Sequence, residues 1–341
     1  MRRSLIVLSL LTGMMMGGLA MAQNGATLQK IKAAGTLPCG SNVEEPEYTM
    51  QDAHGSHADL DLDICKALAV ATLGRNAKFT IVPYQDEEDA FKGLKSGKIA
   101  VLATGTVNFI NTTNRGLGFA PPVYYDYQGF LINKAMGITS PKDLAGKKVC
   151  ILGGTEIETQ LEGYMQRQQI KWLPFAFSEE GEMEAAFVTG NCAAISADAS
   201  QLSYERLAFK NRAKNFDILP DVIAKDPLAP SYRLDDPQWA AIVNWTVEAL
   251  ILAEESGLTQ ANLAQMKQSK DVVIQRLLGV QHGYGQYIGL DDEWVDRVIE
   301  AVGNYGEIFE RDLGSGSPRN LPRGTNKLWT QGGLMYALPI R

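Results

Sequence analysis

Apolar and polar positions fall into two blocks, in which short apolar runs alternate with stripes spaced three and four apart. In the first block Thr36-Leu37-Pro38-Cys39-Gly40 reads as a short strand. Leu60, Ile64, Leu68 and Ala71 share one helical face, and Gly74 closes that helix. Phe79 to Pro83 predicts a second strand, and Ala90, Phe91 and Leu94 a short helix stopping at Gly97. Ile99-Ala100-Val101-Leu102 predicts a third strand, apolar throughout. The second block repeats the alternation. Gly129 to Ile132, Lys148 to Leu152, Trp172 to Phe177 and Ala193 to Ala197 read as strands, the last ending at Asp198. Between them, Ser140 to Gly146 has a Ser cap, a Pro at the first position and a closing Gly. Helices follow over about Glu156 to Gln168, after Gly153-Gly154-Thr155, and near Met183 to Thr189. Strand and helix in alternation argue for an α/β fold with a largely parallel sheet. The remainder reads as mostly helical: Trp239, Val243, Thr246 and Leu250 recur before Gly257, and Trp294, Val298, Ala301, Tyr305 and Phe309 recur again. After Gly314 the chain is rich in Gly, Ser and Pro, then ends on an aromatic and apolar tail.

Ligands of open α/β sheets sit beyond the carboxyl ends of the strands. Here those ends are Gly40 to Tyr48, Ala103 to Asn108, Gly153 to Glu156, and Asp198. Two α/β units whose strands end at a shared gap predict a cleft there.

The N-terminus changes the compartment. Arg2 and Arg3 precede an apolar run from Leu5 to Leu19, followed by the small-x-small site Ala20-Met21-Ala22. Residues 1–22 have the layout of a secretory signal peptide, cleaved before Gln23. A membrane anchor is the alternative, disfavoured by the short run and the cleavage motif. No cysteine follows the site and no later stretch is long and apolar enough to span a bilayer, so no direct membrane anchor is expected. Export gives meaning to Cys39, Cys65, Cys150 and Cys192, an even number in an oxidising compartment. Three connectivities exist. Nearness within each block favours Cys39–Cys65 and Cys150–Cys192, with four buried thiols as the alternative. No C-x-x-C pair supports a zinc or redox site.

Composition narrows the function classes. The 341 residues allow two domains or one large one. The formal charge of −7 becomes −9 once the two signal-peptide arginines are removed, and no long basic run exists, so no nucleic-acid partner is expected.

Several segments together resemble the periplasmic amino-acid-binding proteins of ABC importers, in particular the general L-amino-acid-binding branch of the polar amino acid family. They are Gly35 to Gly40, Asp61-Leu62-Asp63-Ile64-Cys65, Tyr124 to Phe130, Tyr204-Glu205-Arg206-Leu207 and, most distinctively, Ala301 to Arg311 followed by Leu328-Trp329 and Gly332-Gly333-Leu334. The resemblance covers roughly residues 27 to 341. It implies a type II periplasmic binding protein fold of two α/β lobes joined by two crossing hinge strands. Lobe 1 would be 23–127 with 235–341, and lobe 2 128–234. It also implies a periplasmic location, a small-molecule ligand such as an amino acid or amine, an inner-membrane permease and an ATPase as partners, no cofactor and no chemistry on the ligand. Lobes of such proteins close by a hinge.

The expected ligand-binding residues are Glu45, Tyr48, His57, Asp59, Thr104, Thr106, Asn111, Thr155, Glu156 and Asp198. Several depart from what the resemblance implies. Family members hold the ligand α-carboxylate with an arginine on the turn after the third strand. Counting back from Gly116-Leu117-Gly118-Phe119-Ala120, that position is Asn111, and no Lys or Arg lies between Lys98 and Arg115. Asn does not replace a bidentate guanidinium. A Gly-Thr-Thr turn of the family reads Gly154-Thr155-Glu156, placing a carboxylate where an anion would bind, or a favourable charge at a helix N-terminus. Asp59 stands where the family has Gly, His57 replaces an aromatic, and Glu44-Glu45-Pro46-Glu47-Tyr48 replaces a mostly apolar wall, unless this is simply a solvated charged loop. Asp198 matches the aspartate that pairs with the ligand α-amino group, its alternative role being a helix cap. A buried carboxylate without a partner costs several kcal/mol. The expected ligand is therefore cationic or lacks a free α-carboxylate.

Other chemistry is weaker. Asp52, His54, His57, Asp59 and Asp61 cluster near Gly55 and fit a polar turn better than a metal site. The Gly-Gly-Thr turn lacks the Lys of a P-loop, and no Gly-x-Ser-x-Gly occurs. The remaining alternatives are a dehydratase-like enzyme on the same scaffold and a periplasmic accessory or sensor protein.

Overall fold

The computed structural model describes residues 25–41, 50–51, 57–84 and 87–341. The signal segment and its cleavage site, Asp52, His54, Glu45 and Tyr48 lie outside the described residues. Among the described residues there are twelve strands: β1 (Thr36–Ser41), β2 (Met50–Gln51), β3 (His57–Ala58), β4 (Lys78–Pro83), β5 (Val101–Thr106), β6 (Leu117–Phe119), β7 (Tyr124–Asn133), β8 (Lys148–Leu152), β9 (Leu173–Phe177), β10 (Ala194–Asp198), β11 (Phe216–Ile218) and β12 (Ala224–Arg233). Ten form one sheet in the order β4-β1-β5-β12-β7-β10-β8-β9, with β6 on β12 and β11 on β7.

β1 lies parallel to β4 and β5, and β8 parallel to β9 and β10. β12 is antiparallel to β5 and to β7, and β10 antiparallel to β7. The sheet is thus mixed, not largely parallel, because the two long strands β7 and β12 run side by side between the lobes. The two-lobed type II architecture follows from this pair.

β11 and β12 add two strands to the stretch after Asp198, which is otherwise mostly helical as the sequence predicts. The β12 segment holds Pro227 and Pro230, which weaken a strand reading. Pro230 sits where the β12·β5 register shifts between Ala229 and Ser231, a bulge that accommodates the missing N–H. The third strand begins at Val101 and runs to Thr106, two residues later than its apolar run. The stripe from Trp294 to Phe309 is two helices, Trp294–Val302 and Tyr305–Asp312. Gly303 turns the chain at φ 83°, and Asn304 and Glu307 form a reciprocal capping box, with 2.9 Å bonds each way.

Strands buried on both faces explain the continuous apolar runs. In lobe 2, Phe130, Ile132, Val149 and Ile151 face Leu161 and Met165, while Leu131, Cys150 and Ile195 face Phe187, Leu202 and Phe216. In lobe 1 the helices Leu60–Leu73, Pro237–Glu255, Trp294–Val302 and Tyr305–Asp312 share one core. The buried Trp239 indole N–H donates to the Ala100 carbonyl at 2.8 Å, and the Tyr305 hydroxyl to Val123 at 2.9 Å. Cys39–Cys65 ties β1 to the helix Leu60–Leu73, with Cα atoms 5.9 Å apart. Cys150–Cys192 ties β8 to the turn before β10, at 5.7 Å. No described helix is long and apolar enough to cross a membrane.

Candidate ligand-binding site

Lobe 1 brings Thr104, Thr106, Asp59 and Asn111 to the carboxyl ends of β1 and β5. The Asp61 carboxylate accepts from Ser41 Oγ at 2.7 Å and Thr104 Oγ1 at 2.6 Å, so one side chain ties both strand ends to the following helix. Asp59 caps that helix through Oδ1, 2.9 Å from the Asp61 N–H. Burial and the neighbouring Asp61 charge push its pKa up to about 7, against the pull of Arg319. His57 is placed by its backbone in β3, next to Asp59 in the chain.

Asn111 is buried and its polar atoms are committed. Nδ2 donates to the Thr106 carbonyl at 2.9 Å and to Glu87 Oε2 at 3.3 Å, while Oδ1 accepts from Arg115 Nε at 2.7 Å. Both amide hydrogens and one lone pair are used. Arg115 continues to Glu88 and stacks over the Phe91 ring, 5.0 Å from its centroid. The Thr106 N–H donates to Glu87 Oε1 at 2.6 Å. This corner of lobe 1 is closed on itself.

On lobe 2, Thr155 caps the helix Glu156–Arg167. Glu156 is exposed and accepts from Gln160 at 3.2 Å. The residue that answers the turn is Glu158, whose Oε2 accepts from the Gly154 N–H at 2.7 Å. The chain's own carboxylate thus occupies part of this anion-binding turn.

Between the lobes stands a group of carboxylates. Asp126 on β7 pairs in register with Asp226 on β12, and Gln128 pairs with Asp198 on β10. Directly opposite residues share a face, so all four side chains emerge on one side of the sheet. Asp126 accepts from the Tyr127 N–H and from the Ser200 N–H and hydroxyl. Asp198 makes no cap bond to the helix Ala199–Ala208, and no described residue bonds its carboxylate. Burial pushes Asp126 up to about 7, with the Asp198 charge adding to it. Burial, then Asp198, Asp126 and Glu87, push Asp226 up to about 7. Burial also raises Asp198. Among the described residues, no Lys or Arg charge is a cause of the shifts at Asp198 or Asp226.

Two residues further along β7 and β12 on the same face, the pair Tyr124 and Leu228 lines a cavity of about 400 Å³, which Asp126, Asp198 and Asp226 approach without lining it. Asp59, Thr104 and Tyr124 line one side, Ser200 and Tyr204 the other, and Arg319 reaches in from the C-terminal segment. Asp126, Asp226, Glu158 and Arg319 were not among the expected site residues. Alternation in Asp126-Tyr127-Gln128 carried a signal for the first; no local pattern marks the others. No group of three or more His, Cys, Asp or Glu among the described residues is placed to hold a metal ion.

Comparison with known proteins agrees with this architecture. A family model described as NMT1/THI5 like matches residues 75–221. The chain is 41% identical to the general L-amino acid-binding periplasmic protein AapJ of Rhizobium johnstonii, over 94% of this chain and 95% of that protein. It is 40% identical to the glutamate/glutamine/aspartate/asparagine-binding protein BztA of Rhodobacter capsulatus, again over 94% and 95%. The chain belongs to the periplasmic amino-acid-binding proteins of ABC transporters. Among solved structures, a periplasmic binding protein from Brucella ovis with glutathione bound is 39% identical, with a TM-score of 0.81 over 92% of this chain and 99% of that one. Members of this family are binding proteins, and they work with an inner-membrane permease and ATPase.

Proposed function

We propose that this chain captures an amino acid or amino-acid-like molecule in the periplasm through its positively charged group, and delivers it chemically unchanged to an ABC importer. Lobe 1 is formed by 23–127 with 235–341, lobe 2 by 128–234, and they close about β7 and β12. Asp198 carries the reading: its carboxylate is half-buried, has no hydrogen-bond partner among the described residues, and stands beside Asp126 and Asp226. A ligand ammonium or guanidinium supplies the missing charge. The closed corner at Asn111 and the occupied turn at Gly154 support it further, since neither offers an anion a free cationic partner.

Thermal-shift screening of L-amino acids, amines, betaines and glutathione against the mature chain tests this. Ligands with an amine or guanidinium should stabilise the protein, and Asp198→Asn should abolish the shift. Tight binding of acidic or neutral amino acids that survives Asp198→Asn refutes it. Recovery of the bound ligand with altered mass would refute the absence of catalysis.

A further inference from the structure

The C-terminal segment holds an arginine whose position suggests more than a structural contact. Residues 313–321 leave the helix Tyr305–Asp312 and form a closed loop, with the Leu321 N–H donating to Leu313 at 2.8 Å. Within it the Asn320 N–H donates to Ser317 at 3.1 Å, and the Arg319 N–H to Ser317 Oγ at 3.2 Å. Arg206, on the lobe 2 helix Ala199–Ala208, donates to the Arg319 carbonyl at 2.8 Å. The loop therefore rises from lobe 1, is held by lobe 2, and presents the Arg319 side chain to the cavity between them.

The guanidinium is under-used there. Its side chain is 18% exposed, and its bond to a described residue is one contact to Asp59 Oδ2 at 3.4 Å. Charge-assisted bonds are usually about 2.7–2.9 Å, and a guanidinium carries five donors in a fork. Asp59 does not meet that fork in bidentate fashion, because its Oδ1 is committed to the Asp61 N–H. Its carboxyl, pushed up to about 7, is partly protonated near neutral pH and neutralises Arg319 incompletely. Arg319 lines the open cavity between the lobes.

We propose that Arg319 is the carboxylate receptor of this cleft, so that the ligand is a zwitterion with its cationic group at Asp126, Asp198 and Asp226 and its carboxylate at Arg319. This rests on the cation reading above and adds the second charge. Ser200 links the two groups, since its hydroxyl donates to Asp126 and it lines the same cavity as Arg319.

Calorimetric titration of the full mature chain with L-lysine, L-lysinamide, glycyl-L-lysine and glycyl-L-lysinamide tests it. The native chain should prefer an acid over its amide by about tenfold or more, because an amide leaves the fork unpaired. Arg319→Gln should bring each pair within about twofold, and Arg319→Lys should restore part of the preference. The Arg206 bond is to the backbone carbonyl, so melting temperatures should stay close to the native value; Arg319→Lys guards against misfolding of the other variant. Asp198→Asn should weaken acid and amide alike. An acid-to-amide ratio near one in the native chain, or one undiminished by Arg319→Gln, overturns the role of Arg319 and leaves the cation reading in place. Unchanged binding in Asp198→Asn overturns the cation reading instead. Binding of none of the four overturns both.

Discussion

Asp226 faces Asp126 across the strand pair that joins the lobes, and both titrate near 7 in the folded protein against 3.8 for an ordinary Asp. As pH rises from about 4 to about 7, the unfolded chain ionises these groups while the folded chain keeps them protonated. The unfolded state is favoured across that window, and the loss of stability is complete above about 7. Asp226→Asn removes one of the two penalties. Its melting temperature should exceed the native value more at pH 8 than at pH 5, by calorimetric scan without ligand. A gain equal at both pH values would show that Asp226 does not titrate as described. Ligand binding should follow the opposite course, since a cation needs the ionised carboxylates: affinity should rise from pH 6 to pH 8. Asp198 was legible as a strand-end carboxylate. Asp226 was not, because its neighbours in sequence are Lys225 and Pro227, and its partner Asp126 lies one hundred residues earlier.

Elements followed their local signals where those were complete. Lys148 to Leu152 is a strand with the expected ends, and Leu60 to Leu73 a helix closed at Gly74. The stripe from Trp294 to Phe309 misled because apolar spacing continues across Gly303, although Asn304 and Glu307 carry the capping signature. Asn304 also donates to the Leu258 carbonyl at 2.7 Å. Asn304→Ala should cost about 2 kcal/mol in urea unfolding, the upper range for a cap, because a buried carbonyl loses its donor too. The disulfides work at the same scale, each holding a strand to its neighbouring segment. Replacing Cys39 and Cys65 together by Ser should cost about 3–4 kcal/mol by the chain-entropy estimate. Urea denaturation checks it, and a cost below about 1 kcal/mol would mean the bridge constrains the unfolded chain little.

At the scale of the molecule, β7 and β12 make one sheet continuous through both lobes, and the loop 313–321 touches both beside that junction. Closure about such a pair narrows the gap between Asp59 and Ser200, which line opposite sides of the cavity. Small-angle scattering should show a smaller radius of gyration with bound ligand, and no change for Asp198→Asn at the same ligand concentration. The sequence by itself determined the local elements, the cysteines available for bridging and an acidic chain without a basic run. These are properties of neighbours along the chain, carried by period, caps and composition. Tertiary structure alone decided that Asn111 turns to Glu87 and Arg115, that Glu158 answers the Gly154 turn, that Asp126, Asp198 and Asp226 share one face, and that Arg319 returns to the cleft. Strand register and long returns of the chain set these meetings, and neither leaves a trace in the spacing of adjacent residues.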